Sequence, residues 1–238
     1  MKVGILSDIH GNFPALQAVV DAGKTKNVEK WVFLGDLVGY YYWPKACFEA
    51  LQDLKAVCIK GNHERMMLEA RRDCAALKRF TQKYGQGFKV ALEELSQEQI
   101  DFIEQWQDFL ELSIDDRSVF LCHGSPQDRD VYVYPDAGQS VREAMCVAAR
   151  GVTLYGHTHY QVCWRLKEGF VINPGSVGQP RDRRPGAHWA LWDTETMEVE
   201  LNCEEYDIDR VIEACLTYDA ELTYLSEVLT RTEKELRR

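Results

Sequence analysis

The sequence lacks long hydrophobic runs, paired cysteines and an excess of positive charge, and each absence excludes a class of protein. No apolar stretch approaches the roughly 20 residues that a membrane-spanning helix needs, so we expect no membrane partner. The eight cysteines are scattered without any C-x-x-C pair, which excludes a disulfide framework or a zinc ribbon in a chain of 238 residues. With 38 acidic against 28 basic residues, the net charge of −10 repels long polyanions, so we do not expect extended nucleic-acid binding.

The chain also lacks repeats, low-complexity tracts and Pro/Gly/Ser-rich linkers. We therefore expect a single domain over residues 1–238. The opening residues MKVGILSD run straight into a polar motif, unlike the apolar core and cleavage site of a signal peptide. On this basis we expect a cytoplasmic protein.

The first part of the chain alternates short apolar runs with amphipathic segments. From KVGILSD to AVCIKGN it follows a strand–helix–strand–helix–strand pattern, which is typical of parallel strands joined by right-handed crossovers. A helical insert is predicted at about 65–112, divided near Ser96, where SQEQ matches a capping box.

A second series of strand-like runs extends from RSVFLCHG to MEVELNCEEY, with a short helix predicted in SVREAMCVAA. A C-terminal helix is predicted at about 207–236. Together the segments predict an α/β fold with a large mixed β component.

Five of the six histidines follow strand-like runs directly, each beside Gly, Asn or Asp. They occur in SDIHGN, KGNHE, LCHGSP and GHTH, and the acid Asp36 has the same kind of place in FLGDLVG. In open α/β sheets, sites form outside the carboxyl ends of the strands. Each motif alone also fits a turn or a helix cap, but five together indicate a metal centre. His188 begins a strand-like segment, and we expect a structural role for it.

The order of these motifs resembles that of the calcineurin-like metallophosphoesterase family. NPGSVGQPR, residues 173–181, is similar to the small bacterial and archaeal phosphodiesterase branch of that family. The resemblance implies a four-layer αββα sandwich with two mixed β-sheets. One departure is Glu64, where the family more often has aspartate. The motifs are Asp8-x-His10, Gly35-Asp36, Gly61-Asn62-His63-Glu64, His123-Gly124 and Gly156-His157-Thr158-His159.

The resemblance further implies two divalent transition-metal ions, with Mn favoured among Mn, Fe, Zn, Co and Ni. Mixed imidazole and carboxylate ligands suit these metals, and no cysteine is needed. The implied reaction is hydrolysis of a phosphodiester by attack of a hydroxide that bridges the two ions. The implied ligands are Asp8, His10 and His159 for one ion and Asn62, His123 and His157 for the other, with the Asp36 carboxylate bridging both.

Four residues are implied to act on the substrate or on one another rather than on the metal alone. The resemblance places His63 beside the scissile phosphate, where an imidazolium would stabilise charge or protonate the leaving oxygen. Glu64 would then hold the tautomer of His63 and raise its pKa, or would simply begin the next helix, where an acid suits the positive dipole end. Asn62 and Arg181 are the predicted substrate-binding residues, Arg181 through its guanidinium.

The aromatic run GYYYWP, with Tyr40 to Trp43 at its centre, comes shortly after Asp36. It either lines the mouth of the site and stacks on a nucleobase or packs on a neighbouring loop, and packing is favoured. We expect a small phosphorylated substrate, with nucleotides among the candidates. The alternatives are a phosphomonoester or a dinucleoside polyphosphate such as diadenosine tetraphosphate. A non-catalytic scaffold of the same fold is disfavoured because all seven ligand positions and His63 are filled.

Overall fold

The computed structural model describes residues 1–147, 151–167 and 169–232 of the chain. Within these residues, ten strands form two five-stranded sheets, and nine helices lie around them. The strands are β1 (Lys2–Leu6), β2 (Lys30–Phe33), β3 (Val57–Cys58), β4 (Phe109–Ile114), β5 (Arg117–Cys122), β6 (Gly151–Leu154), β7 (Gln161–Leu166), β8 (Gly169–Pro174), β9 (Ala187–Asp193) and β10 (Val199–Glu204). The helices are α1 (Phe13–Thr25), α2 (Pro44–Asp53), α3 (Asn62–Arg72), α4 (Cys74–Tyr84), α5 (Gly87–Glu94), α6 (Gln97–Glu104), α7 (Gln139–Ala144), α8 (Ile208–Tyr218) and α9 (Tyr224–Thr230).

Both sheets combine parallel and antiparallel pairs, as the sequence predicts. The first has the order β10-β9-β1-β2-β3, in which β1, β2 and β3 are parallel, β9 is antiparallel to β1, and β10 is antiparallel to β9. The second has the order β4-β5-β6-β8-β7, with three parallel strands at its centre and an antiparallel strand at each edge. In each sheet the carboxyl ends of the parallel strands lie on the same side of the sheet. The residues that follow these strands are therefore close to one another.

The two sheets pack face to face over one apolar core. Side chains alternate along each strand, so β1 turns Val3 and Ile5 towards the second sheet and Leu6 towards the helices. Leu121 and Leu154 of the second sheet meet Val3 and Ile5 in this core. Each such side chain contributes about 1.5–3 kcal/mol when fully buried, and this shared core fixes the position of one sheet on the other.

Helices cover the outer faces unequally. Buried side chains of α1, α2, α3, α5 and α6 pack on Phe33 and Trp189 at the outer face of the first sheet. The outer face of the second sheet is covered by α7 and its flanking segments through Val133 and Met145, which pack with Tyr155. The predicted αββα sandwich is confirmed, with a thin fourth layer.

The predicted helical insert at about 65–112 is wrong in its detail. Four helices, α3 to α6, fill residues 62–104, and residues 109–114 form strand β4 instead. Strand β4 forms a hairpin with β5 because Asp115 and Asp116 both have left-handed backbones, at φ 52° and 60°, the conformation that a two-residue hairpin turn needs. The capping box at Ser96 is present at the start of α6.

The predicted C-terminal helix at about 207–236 is wrong in its middle, where the chain breaks between α8 and α9. The break occurs at Asp219, whose carboxylate accepts bonds from the Tyr42 hydroxyl and the Gln86 backbone N–H, each at 2.8 Å. The short helix predicted in SVREAMCVAA ends at Ala144. The remainders of both predictions, 148–149 and 233–236, lie outside the described residues. Among the helices described, none combines the length and hydropathy that a membrane span requires.

Candidate metal centre

The predicted ligands lie at the carboxyl ends of five strands, drawn from both sheets. Asp8 and His10 follow β1, Asp36 follows β2 and Asn62 follows β3, all in the first sheet. The second sheet supplies three histidines, with His123 after β5 and His157 and His159 after β6. The face-to-face packing of the sheets therefore brings the two sets together.

The backbone at these ligands is unusual. A left-handed conformation costs a residue other than glycine about 1–3 kcal/mol, although aspartate and histidine adopt it more often than most. The loops after β1 and β2 hold each other in this shape, because the N–H groups of Asp8 and His10 donate to the carbonyls of Gly35 and Asp36 at 2.9 Å. The directions of the side chains are thus fixed by the backbone. The left-handed ligands are Asp8, His10, Asp36, His157 and His159, with φ between 52° and 68°.

The donor atoms fall into overlapping groups within which all of them lie inside 4.8 Å of one another. In the first group, His159 Nε2 lies 3.1 Å from Asp8 Oδ1. In the second, His123 Nε2 lies 3.3 Å from Asp36 Oδ2 and 3.1 Å from Asn62 Oδ1. The groups are Asp8, His10 and His159; Asp36, His123 and His157; and His10, Asp36 and His63.

Three of the imidazoles carry a proton at Nδ1 and direct Nε2 into the centre. His10 Nδ1 lies 3.1 Å from the Val38 carbonyl, and His123 Nδ1 lies 2.7 Å from the Leu34 carbonyl. His159 Nδ1 lies 2.5 Å from the Gln179 carbonyl. A carbonyl oxygen only accepts, so each Nδ1 carries a proton, and Nε2 is the nitrogen that each ring can offer to a metal. Burial lowers the pKa of His10 and of His159, so their Nε2 atoms present lone pairs. Burial also acts to lower the pKa of His123, but the Asp36 carboxylate raises it to about 9, so its Nε2 carries a proton that a metal ion would displace. His157 is turned the other way, with Nε2 3.1 Å from the Asp130 carbonyl, which leaves Nδ1 as its acceptor.

These residues fit a cation. The Nε2 atoms of His10 and His159 lie 3.1 Å apart, yet neither neutral imidazole has a proton to place between them. Asp8 and Asp36 are buried, and among the described residues neither forms an ion pair with a lysine or arginine. Burial acts to raise the pKa of Asp36, but the histidines that face it, with His123 the strongest, together hold the pKa well below its usual range. Buried ionised carboxylates facing imidazole lone pairs suit a first-row transition metal.

His63 lies against the same centre in an aromatic enclosure. Its ring is 4.5 Å from that of His10, 5.0 Å from that of Tyr40 and 5.1 Å from that of Phe88, centroid to centroid. Burial lowers the pKa of His63 to about 4, although the Asp36 carboxylate opposes the shift. Its Nδ1 is buried and has no hydrogen-bond partner among the described residues. The prediction that Glu64 holds the His63 tautomer and raises its pKa is therefore wrong.

Glu64 binds the backbone instead. Its carboxylate accepts from the N–H groups of Asp36, Leu37 and Gly61 at 2.7–2.8 Å, which ties the loop after β2 to the start of α3. Glu64 is the third residue of α3, so its other predicted role, at the start of the helix, agrees with the structure. Glycine is required at 61, because a Cβ there would fall 2.1 Å from Asp36 Oδ1.

Arg181 and the aromatic run lie beside the centre. The half-buried guanidinium of Arg181 donates from Nη2 to the Tyr40 hydroxyl and to Gln179 Oε1, each at 3.1 Å. The Tyr40 ring contacts His10 edge-on at 4.7 Å and, like Arg181, lines an adjoining cavity of about 410 Å³. Tyr41 and Tyr42 are buried against the C-terminal helices, so packing, the favoured prediction for this run, is confirmed for them.

Sequence reasoning missed the other side of the centre. The Tyr132 ring stacks on His157 with centroids 3.9 Å apart, although it is 47% exposed. A second cavity of about 320 Å³ is lined there by Asn62, Arg65 and Tyr132, among others. The sequence feature that could have indicated this side is VYVYP at 131–135, in which tyrosines alternate with valines outside any strand of the described residues.

The chain matches the Calcineurin-like phosphoesterase superfamily domain over residues 1–197 and belongs to this family of metal-dependent phosphoester hydrolases. It is 29% identical to the phosphodiesterase MJ0936 of Methanocaldococcus jannaschii over 178 residues, 74% of this chain and 83% of the relative. It is 25% identical to the phosphodiesterase YfcE of Escherichia coli K12 over 214 residues, 84% of this chain and 91% of the relative. The structure of a hypothetical protein, PH1004 of Pyrococcus horikoshii OT3, superposes with a TM-score of 0.81 at 26% identity, covering 97% of this chain and 98% of the other.

Proposed function

We propose that the protein is a phosphodiesterase that works with two divalent transition-metal ions, of which Mn is favoured. The observation that carries this proposal is the pair of facing Nε2 lone pairs at His10 and His159 beside the buried carboxylate of Asp8. Relatives named phosphodiesterases support the choice of a diester. Bound ions would supply Lewis acidity towards the phosphoryl oxygens and activate a water molecule as the nucleophile.

The ligand assignment rests on two of the groups of donor atoms, together with Asn62 Oδ1, which lies 3.1 Å from His123 Nε2. Asp8, His10 and His159 would hold one ion, and His123, His157 and Asn62 would hold the other. Asp36 would contact both ions, since its carboxylate belongs to the group with His123 and also to the group with His10. The backbone N–H of His63 donates to Asp36 Oδ1 at 2.8 Å. This bond fixes the rotation of the carboxylate and leaves Oδ2 facing His123 and His10.

Two further residues act on the substrate in this proposal. His63 has a ring nitrogen within 4.8 Å of the donor atoms of His10 and Asp36, and its imidazole bonds to the phosphate or the leaving oxygen once substrate enters. Arg181 lines the adjoining cavity, and within the described part of the chain its guanidinium has only neutral oxygens as partners, so it is available to a phosphoryl oxygen. Asn62 lies at both the centre and the second cavity and contributes to substrate binding as well as to the metal.

Metal removal and a substrate panel test this function. Protein freed of metal with a chelator is expected to lose hydrolysis of bis(p-nitrophenyl) phosphate and to regain it with Mn²⁺ but not with Ca²⁺. Calcium prefers shells of six to eight oxygen ligands, which a histidine-rich site does not offer. Turnover that persists after verified metal removal would contradict the mechanism.

The same protein is then given p-nitrophenyl phosphate and diadenosine tetraphosphate. A kcat/KM for the diester above those for the other two substrates supports a phosphodiesterase. A higher kcat/KM for the monoester or the dinucleoside polyphosphate would show that the proposed substrate class is wrong, while the proposed metal chemistry would still hold. Absence of hydrolysis by fully metal-loaded protein would favour a scaffold.

A further inference from the structure

The cavity of about 410 Å³ beside the metal centre has walls from three separate parts of the chain. Tyr40 follows β2, residues 179–181 and Arg183 follow β8, and Tyr224, Val228 and Arg231 belong to the C-terminal segment that begins at α9. We propose that this cavity, here called the anion cleft, binds a second phosphate of the substrate. The inference rests on the proposed function and narrows it to phosphodiesters of nucleosides that carry a further phosphate.

The anion cleft is basic in an acidic protein. Arg181, Arg183 and Arg231 line it, and none of its described lining residues is acidic, although the chain carries ten more acidic than basic residues. Arg183 is half-buried and forms no ion pair among the described residues. Arg231 pairs with Glu227 at 3.4 Å on the surface, a contact that solvent screens and a bound anion readily replaces. Guanidinium groups bind phosphate through paired N–H donors, which makes three of them around one cavity an anion site.

The remaining walls suit a flat ring. Tyr160 and Tyr224 line the cleft, and the Tyr224 hydroxyl donates to the Lys83 carbonyl at 2.6 Å, which holds that ring in place. Tyr160 contacts the ring of Tyr134 edge-on at 5.7 Å. Tyrosine rings offer apolar faces on which a nucleobase stacks. Phosphate binding and ring stacking in one cavity together point to a phosphorylated nucleoside.

The wall formed by α9 is held in place before any substrate arrives. Leu225 and Leu229 are buried beneath it, and the Tyr41 hydroxyl donates to the Leu225 carbonyl at 3.0 Å. Tyr40, next in the chain, contacts His10 on one side and Arg181 on the other. The cleft therefore adjoins the metal centre through one side chain, and a preformed wall limits the ordering cost of binding.

A matched pair of chromogenic esters isolates the second phosphate. Thymidine 5′-(p-nitrophenyl phosphate) and its 3′-phosphorylated analogue share the scissile bond and the leaving group, so only the added phosphate differs. With Mn-loaded full-length protein we expect kcat/KM to be at least about tenfold higher for the 3′-phosphorylated ester, since charge-assisted bonds are the strong ones. Arg183→Gln/Arg231→Gln is expected to bring this ratio close to one. Arg72→Gln, an exposed arginine outside the cleft, is the control and keeps the wild-type ratio.

A wild-type ratio near one, or a ratio that the double variant leaves intact, overturns the proposal while the phosphodiesterase function stands. If neither ester is hydrolysed, the proposed function fails, and calorimetry with the two product nucleotides decides on the cleft. Thymidine 3′,5′-bisphosphate must then bind at least about tenfold more tightly than thymidine 5′-phosphate and lose that advantage in the double variant. Equal binding of the two nucleotides overturns the anion cleft.

Discussion

The metal centre and the anion cleft lie side by side but are built in opposite ways. Every predicted ligand of the centre comes directly after a strand, and left-handed backbone fixes most of them. The cleft instead joins Tyr40, Arg183 and Arg231, which are brought together by the packing of α9 on the buried tyrosines. The family match covers residues 1–197, so α9 lies beyond it. If both proposals hold, the residues for the reaction lie at the strand ends of the two sheets, while substrate selectivity comes from a separate layer of helices.

Asp36→Asn is the strongest way to separate the two regions. We expect it to lower kcat/KM at least about 10³-fold for every substrate, more than the loss of a single hydrogen-bond donor causes. The bound metal should fall below two ions per chain, measured by elemental analysis, because an amide replaces the proposed bridging carboxylate. Asp116→Asn is a matched control, since Asp116 is exposed and has the same left-handed backbone, at φ 60°. Two retained ions with near-normal turnover would show that the centre is wrongly assigned.

His63→Asn tests the part of the centre that acts on the leaving group. If His63 protonates the leaving oxygen, a methyl ester of thymidine 5′-phosphate should lose about 10² more activity than the p-nitrophenyl ester, because an alkoxide needs a proton and nitrophenolate does not. The measurement is the ratio of kcat values for the two esters in variant and wild type. Equal losses with two ions retained would assign His63 to charge stabilisation instead. Loss of an ion would make it a ligand.

Leu229→Ala is expected to have the smallest effect on turnover and to act mainly on the helix α9, which forms one wall of the anion cleft. Truncation of this buried side chain of α9 should cost about 2–5 kcal/mol of stability and lower the melting temperature. The preference for the 3′-phosphorylated ester should decrease, while hydrolysis of the unphosphorylated ester persists. Leu216→Ala on α8 is the control, because Leu216 is 62% exposed. Parallel losses on both esters would mean that the two regions are not separable.

The predicted ligands could be found from the sequence because each one lies close in the chain to the apolar strand that positions it. The same reasoning gave the wrong contacts for Glu64. Two of the backbone groups that bind its carboxylate lie in the loop after β2, some 27 residues away, so these contacts depend on tertiary packing. Strand β4 was missed because Asp115 and Asp116 gave no glycine or asparagine signal for a tight hairpin turn. Tyr132 and Arg231 reach the site through the path of a loop and of a C-terminal helix, which local patterns do not encode.

The division of the ligands between the two sheets has a consequence for the lifetime of the protein. Asp8 and His159 are 151 positions apart in the chain, belong to different sheets and lie within reach of one ion. A metal bound by both residues would therefore be a cross-link that closes most of the polypeptide into a loop, and its stabilisation of the folded state would grow with the logarithm of the free metal concentration. In a cell short of metal, the chain would lose this cross-link and be unfolded and degraded more often. The supply of metal would then determine the abundance of the protein as well as its catalytic rate.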